Sequence, residues 1–220
     1  SDVDTKAIYI PTFKDIALEN DISKGELVLE NDEHLVRYDI RKFLSILKSP
    51  GINNYETLFT EYHLVNPKFK PFYDRILALR ERIVKVNKKK FLMSTMGISK
   101  RDLIDLQKWT EAEGGDIEQF GYSRKRLANI LRYNKTVKAM IADKPFSECL
   151  KSMDQDEIYD IRTSNRYTLD EAIKLATEAD KETKDLAHDY QFDNHNDTTL
   201  RELDAIFVDL MAFNSGIKTK

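Results

Sequence analysis

The sequence predicts an α+β protein in which a small mixed sheet with accompanying helices comes first and a mostly α-helical region follows. The segments that alternate with a period of two lie within the first 39 residues, whereas after Pro71 the apolar residues recur at steps of three and four. With 220 residues, 41% of them hydrophobic, the chain is long enough for a sheet domain and a helical companion. We expect the division near residue 66, with one domain at 1–66 and the other at 67–220.

The first strand is predicted at residues 1 to 10. Alternate side chains of a strand lie on the same face, so Asp2, Asp4 and Lys6 share one face before the strand ends at Pro11. Two carboxylates about 7 Å apart repel each other unless a cation lies between them, and a divalent metal ion is the usual cation. So short a pattern also occurs on solvated edge strands, where both acids are ordinary surface residues.

A hairpin is predicted next, with one strand after Gly25 and a second at residues 34 to 39, and it is expected to pair with the first strand. Asp39 ends this hairpin directly before a predicted helix at residues 40 to 48, and it is our candidate for a third metal-binding carboxylate. An Asp in this position is equally typical of a helix N-cap. Asp32 and Glu33 are the alternative ligands if the register differs.

Two short helices are predicted beside the sheet. The first spans residues 12 to 20, with Thr12 as N-cap, and the second spans residues 53 to 59. Glu56 in the second helix is interpreted as a capping or surface acid, with a position near the metal site as the alternative.

The second part of the chain is predicted to consist of helices. They span residues 68–87, 99–109, 123–142, 154–163, 168–188 and 198–213. Ser99 is expected to be the N-cap of the second of these helices, and a loop around Gly114 and Gly115 is expected to follow it.

The strongest local positive charge lies at residues 75 to 90, which we name the basic segment. Its cations are Arg75, Arg80, Arg82, Lys85, Lys88, Lys89 and Lys90, and Glu81 is its single acid. Such a segment offers a surface for the phosphates of a nucleic acid.

Composition limits the remaining function classes. The net charge of −3 argues neither for nor against a nucleic-acid partner. Cys149 is the only cysteine, which excludes an internal disulfide and a cysteine-based metal site and fits the reducing cytoplasm, where we expect the protein. No apolar run approaches the roughly 20 residues that span a bilayer, so we expect no membrane partner. The acids and histidines at 188–197 are interpreted as a polar loop rather than a metal site.

Several segments together resemble one protein family. The run from Ser1 to Pro11, with Lys14, Asp15 and Ile16 after it, is similar to the catalytic strand of the DNA polymerase beta superfamily of nucleotidyltransferases. Within that superfamily the resemblance is to the predicted nucleotidyltransferases of bacteria and phages that are associated with RNA ligases. Further matching segments are residues 38–44, 97–103, 125–132 and 156–162, so the resemblance covers nearly the whole chain.

The resemblance implies a polymerase-beta-like palm and a metal-dependent transfer of a nucleoside monophosphate from a nucleoside triphosphate, such as ATP, to an acceptor hydroxyl. Two Mg²⁺ ions, or Mn²⁺, would be held by Asp2, Asp4 and Asp39. In the family a Gly-Ser turn precedes the catalytic strand and binds the triphosphate, and the chain begins at the equivalent of the following Ser, Ser1. The palm is therefore expected to be incomplete here, with Ser1 among the nucleotide-binding residues.

Four basic residues are candidates for binding the triphosphate. Lys125 and Arg132 are seven residues apart on one predicted helix and so share a face, and we group them with Lys100 and Lys6. Arg and Lys side chains suit phosphate oxygens. The alternative is that each is a surface residue engaged in salt bridges.

The acceptor and the activity itself have alternatives. Association of the resembled family with RNA ligases makes an RNA end in RNA repair the expected acceptor, and a protein side chain or a small molecule is the alternative. A second class of hypothesis is a non-catalytic nucleic-acid-binding or assembly module that has lost the phosphate-binding turn, because the backbone N–H groups of that turn supply much of the binding energy.

Overall fold

The computed structural model describes residues 4–18, 25–28, 34–190 and 197–217. The predicted α+β class is confirmed. Within these described residues three strands form one sheet, and they are β1 (Asp4–Tyr9), β2 (Gly25–Val28) and β3 (His34–Asp39). The first three residues of the predicted first strand, the predicted hairpin turn at 31–32 and most of the predicted polar loop at 188–197 lie outside the described residues.

The sheet is mixed, and its strand order is β1-β3-β2. The predicted hairpin is confirmed, since β2 and β3 pair antiparallel. β1 pairs with β3 in parallel, with Asp4 opposite His34 at one end and Tyr9 opposite Asp39 at the other. In a parallel pair both strands begin at the same edge, so the start of β1 lies beside the start of β3.

Helices make up most of the remaining described chain. They are α1 (Phe13–Ala17), α2 (Ile40–Lys48), α3 (Ile52–Tyr55), a 3₁₀ helix (Glu56–Leu58), α4 (Lys70–Ala78), α5 (Arg80–Val86), α6 (Lys88–Ile104), α7 (Gly114–Phe120), α8 (Arg124–Ile141), α9 (Phe146–Cys149), α10 (Gln155–Thr163), α11 (Leu169–Asp189) and α12 (Asp197–Asn214).

Side-chain caps fix several of the predicted helix starts. The hydroxyls of Thr12, Ser123 and Thr168 each accept a backbone N–H from the first turn of α1, α8 and α11. The predicted cap at Ser99 is wrong, because α6 runs without interruption from Lys88 to Ile104 and Ser99 is buried within it. The predicted glycine loop is also shorter than expected, since α7 begins at Gly114.

The chain divides into two compact units. Unit 1 contains residues Ser1–Asn87 and His195–Lys220, and unit 2 contains Lys88–Asn194. This division differs from the predicted boundary near residue 66, because α4 and α5 pack against the distant α12. Two ion pairs accompany this packing, Arg75 to Asp209 at 2.9 Å and Arg82 to Glu202 at 2.6 Å.

Unit 2 is organised around α8, which packs against α6, α9, α10 and α11. Leu127, Ile130 and Val137 on α8 are fully buried, as the apolar stripe of this helix predicts. One polar contact lies inside the packing of α6 on α8, where the Nδ2 of Asn134 donates to the Oγ of Ser99 at 2.8 Å. Buried polar groups destabilise a fold unless they find such partners.

Replacing Asn134 by Ala is expected to lower the free energy of unfolding by about 1–3 kcal/mol, because the buried Ser99 hydroxyl loses its donor. Gly97→Ala is the control, at a position on α6, the helix that carries Ser99. A Cβ at Gly97 meets nothing within 4 Å, and alanine favours a helix, so we expect a gain of about 0.5–1 kcal/mol. Urea titration followed by circular dichroism measures both changes, and equal stability of Asn134→Ala and the parent chain would contradict the assignment.

Candidate functional site

The start of the β1–β3 pair is the place where the sequence predicts a metal site. The backbone of Asp4 begins β1 opposite His34. Ser1 and Asp2 lie outside the described residues, as do the alternative ligands Asp32 and Glu33. In the part of the chain that is described, no group of three His, Cys, Asp or Glu side chains is arranged to hold a metal ion.

Asp39 lies at the other end of the sheet. The register places Asp39 opposite Tyr9. Tyr9 is five residues after Asp4, so the backbones of Asp4 and Tyr9 are about 17 Å apart along the strand. Two carboxylates that share one metal ion have oxygens at most about 5 Å apart. The structure therefore does not bring Asp39 together with Asp4, and this corrects the grouping of the two residues in one metal site.

The faces of the strands separate the same residues. Paired residues of parallel strands share a face, so Asp39 belongs with Tyr9 and, by alternation, with Ala7. Lys6 is opposite Val36 on the other face, which is the face that the alternation predicts for Asp4. Register and alternation thus both separate Asp39 from the backbone of Asp4.

The surroundings of Asp39 show what it does instead. Its side chain is 1% exposed, and its Oδ1 accepts the backbone N–H of Arg41 at 2.6 Å and the Nε–H of the same residue at 3.1 Å. The N-cap alternative is therefore confirmed. An aspartate at the start of a helix also interacts favourably with the helix dipole, and here a guanidinium compensates its charge.

Lys6 is exposed at the middle of β1, and its Nζ donates to the backbone carbonyl of Asn53 at 2.8 Å. This contact joins β1 to α3 within unit 1. Glu56 is half-buried and begins the 3₁₀ helix that follows α3.

Lys100, Lys125 and Arg132 belong to unit 2, whereas Lys6 belongs to unit 1. Lys125 is exposed on α8, and the Arg132 guanidinium lies 5.0 Å from the centre of the Tyr133 ring. Lys100 is exposed on α6. The residues of the predicted phosphate-binding group thus belong to both units.

Beside Lys125 is an ion-pair cluster that the sequence analysis did not identify. Arg126 donates from Nε to the Oε2 of Glu113 at 2.5 Å and lies 3.3 Å from Asp105. Asp102 is part of the same cluster and is hydrogen-bonded to Asn129. Burial raises the pKa of the Asp102 carboxyl, and the positive charge of Arg126 partly opposes this increase. These partners come from three segments of the chain, so no local pattern indicates the cluster.

Part of the basic segment is engaged by other residues of the protein. Within unit 1, Arg75 and Arg82 pair with α12 as described, and Arg80 lies over the ring of Phe59 at 5.0 Å. Lys88, at the start of unit 2, donates to both Asp143 and Tyr190. Three of its seven cations thus serve internal ion pairs, which weakens the prediction of a phosphate surface there.

A groove of about 540 Å³ lies between α1, α2 and α12 in unit 1. Its walls are mostly apolar and include Phe13, Leu44, Phe207 and Met211. Sequence reasoning missed this groove because α12 reaches α1 and α2 only through tertiary packing.

No family model, no curated protein and no solved structure matches this chain. The resemblance to nucleotidyltransferases therefore stays a prediction from the sequence. Of the helices that the structure describes, none has the length and apolar character needed to cross a membrane.

Asp39→Ala is expected to lower the free energy of unfolding by about 1–2 kcal/mol, because α2 loses its N-cap. Asp39→Asn is the matched control, since asparagine caps helices nearly as well. We expect Mg²⁺ to leave the difference between these proteins unchanged in urea titrations. A stabilisation by Mg²⁺ that disappears in both variants would instead identify Asp39 as a metal ligand.

Asp102→Asn is expected to make the protein more stable near pH 7. Because the pKa of Asp102 is raised, the folded state favours the protonated form of its carboxyl. The protonated carboxyl contributes its full stability below the pKa of the unfolded state, near about 4. This contribution is lost as the pH rises through the higher pKa of the folded state. Urea midpoints of the two proteins should therefore converge near pH 4 and separate towards pH 7. A constant difference across this range would contradict the assignment.

Proposed function

We propose that this chain transfers a nucleoside monophosphate from a nucleoside triphosphate to an acceptor hydroxyl, with the reaction centre at the start of the β1–β3 pair. The observation that carries the proposal is the parallel register, in which Asp4 is opposite His34. It makes the beginnings of two strands neighbours, and in the sequence acids stand at the beginning of β1 and directly before β3.

The proposed metal ligands are Asp2 and Asp4 from the first strand and Asp32 from the segment before β3. In the sequence Asp32 precedes His34, the first residue of β3, by two positions, and Asp2 precedes Asp4, the first residue of β1, by two positions. Glu33 is the alternative to Asp32 and is not among the proposed ligands. Carboxylates are the oxygen ligands that Mg²⁺ prefers.

When bound, Mg²⁺ would lower the pKa of the acceptor hydroxyl and neutralise charge on the departing pyrophosphate. In this proposal the carboxylate oxygens of Asp2, Asp4 and Asp32 bind the Mg²⁺ and compensate its charge. Lys6 shares the face that strand alternation assigns to Asp4, and its ammonium suits the phosphate oxygens of the nucleotide. We assign no metal-binding role to Asp39, which acts by capping α2.

The test uses α-³²P-labelled nucleoside triphosphates, Mg²⁺ and an RNA with a free 3′ hydroxyl, with labelled product separated by denaturing electrophoresis. We expect transfer by the parent chain, and a loss of roughly 100-fold or more in Asp4→Asn and in Asp32→Asn, because one carboxylate ligand is removed in each.

Asp39→Asn and Glu33→Gln are the matched controls, since each changes one acid without removing a proposed ligand. Both are expected to retain transfer within a few fold of the parent chain. Full activity of Asp4→Asn, or loss of activity in Asp39→Asn at unchanged stability, would contradict the proposed centre.

A further inference from the structure

The exposed side of α6 carries positive charge and no acid. Its exposed positions are Lys89, Lys90, Met93, Gly97, Lys100, Arg101 and Ile104. Four of these seven positions are cations, and Asp102, the acid of this helix, is half-buried beside Arg126. We name these seven positions the outer face of α6.

The fold fixes the orientation of this face. The opposite side of α6 contributes Phe91, Leu92 and Thr95 to the interior of unit 2, where the helix packs against α8 and α11. The hydrogen bond between Ser99 and Asn134 lies on that buried side. Burial of one side therefore holds the cations of the other side towards solvent, and a rotation of α6 would expose the core.

The spacing of the cations fits an extended anion. Lys90 and Lys100 are ten residues apart, which is about 15 Å along a helix. One phosphate group cannot contact both ends, whereas consecutive phosphates of a nucleic-acid strand can. Between them Gly97 leaves the helix without a side chain, and an added Cβ meets nothing within 4 Å. The middle of the outer face is thus open to close approach.

Lys100 is the most informative of these cations. In the described part of the chain no carboxylate lies within ion-pairing distance of it, in contrast to Arg75 and Arg82 of the basic segment. Binding of phosphate at Lys100 would break no internal ion pair. The ion pairs of the basic segment, by contrast, would have to open before their cations could bind an external anion.

We propose that the outer face of α6 binds the phosphate backbone of single-stranded nucleic acid. An anionic membrane is the less suitable occupant, because a helix that lies on a membrane needs a continuous apolar face. The outer face has only Met93 and Ile104, at 57% and 72% exposure, eleven residues apart. The choice of nucleic acid as the ligand rests on the proposed function, in which RNA is the acceptor. Binding of nucleic acid to the outer face of α6 requires neither a nucleotide nor a metal ion.

The first test is a charge series at Gly97 in the full chain. Binding of a fluorescein-labelled single-stranded RNA of about 20 nucleotides is followed by anisotropy in EDTA without nucleotide, at about 50 to 200 mM KCl. The variants are Gly97→Lys, Gly97→Gln and Gly97→Glu, since the Cβ that each adds meets nothing within 4 Å. We expect affinity to fall in that order, with roughly a tenfold span between the Lys and Glu variants at low salt.

The second test removes the native charge. Lys100→Glu with Arg101→Glu is expected to weaken RNA binding at least tenfold and to reduce the slope of log affinity against log salt by about 1 or more. The matched control, Lys174→Glu with Lys181→Glu, makes the same change in net charge at exposed positions of α11. We expect less than a threefold effect from it.

Three results would overturn the inference: no RNA binding by the parent chain, equal affinities across the Gly97 series, or an equal effect of the α6 and α11 double variants. Retention on vesicles of anionic lipid without RNA binding would also overturn it, in favour of a membrane surface. Because the assay contains EDTA, a failed transfer reaction with intact RNA binding would contradict the proposed function and leave this inference standing.

Discussion

The parallel pairing of β1 with β3 is the constraint on which the account of unit 1 depends. Parallel strands begin at the same edge, so this pairing places the start of β1 at Asp4 beside the start of β3 at His34, and at the other edge both strands lead towards helices. At that other edge Asp39 starts α2 as its N-cap. The two aspartates thus lie at opposite ends of the strand pair, and the metal site that we propose is at the end with Asp4.

Unit 2 depends on a different constraint, the burial of α8 by its neighbouring helices. Because α6 gives one side to that packing, its polar residues divide into two classes. Ser99 is buried and hydrogen-bonded to Asn134, while Lys100 and Arg101, the next two residues, are exposed. Packing therefore decides which charges are available to a partner. The same reasoning explains why the part of the basic segment that precedes α6 is a weaker surface than its composition indicates, since Arg75 and Arg82 are paired with acids of α12.

Local patterns predicted the parts of the fold that local physics controls. The α+β class, the hairpin and the caps at Thr12 and Ser123 follow from alternation and from side-chain oxygens at helix starts. The sequence does not predict the unbroken α6, because a serine that follows a glycine by two residues, as Ser99 follows Gly97, is typical of a helix start. The partner of Ser99, Asn134, is 35 residues away. The distance from Asp4 to Asp39 depends on the direction and register of pairing, which no single segment encodes. The place of α12 in unit 1 depends on ion pairs across more than 100 residues, as with Arg82 and Glu202.

The central claim is that a divalent metal binds at the beginnings of the two parallel strands, and paramagnetic line broadening by Mn²⁺ in amide NMR spectra tests it most directly. We expect low Mn²⁺ to broaden the amide signals of Thr5 and Leu35, which are paired near that edge, far more than those of Tyr9 and Asp39, roughly 13 Å further along the strands. Broadening centred on Asp39, or none above that of an exposed surface amide, would contradict it.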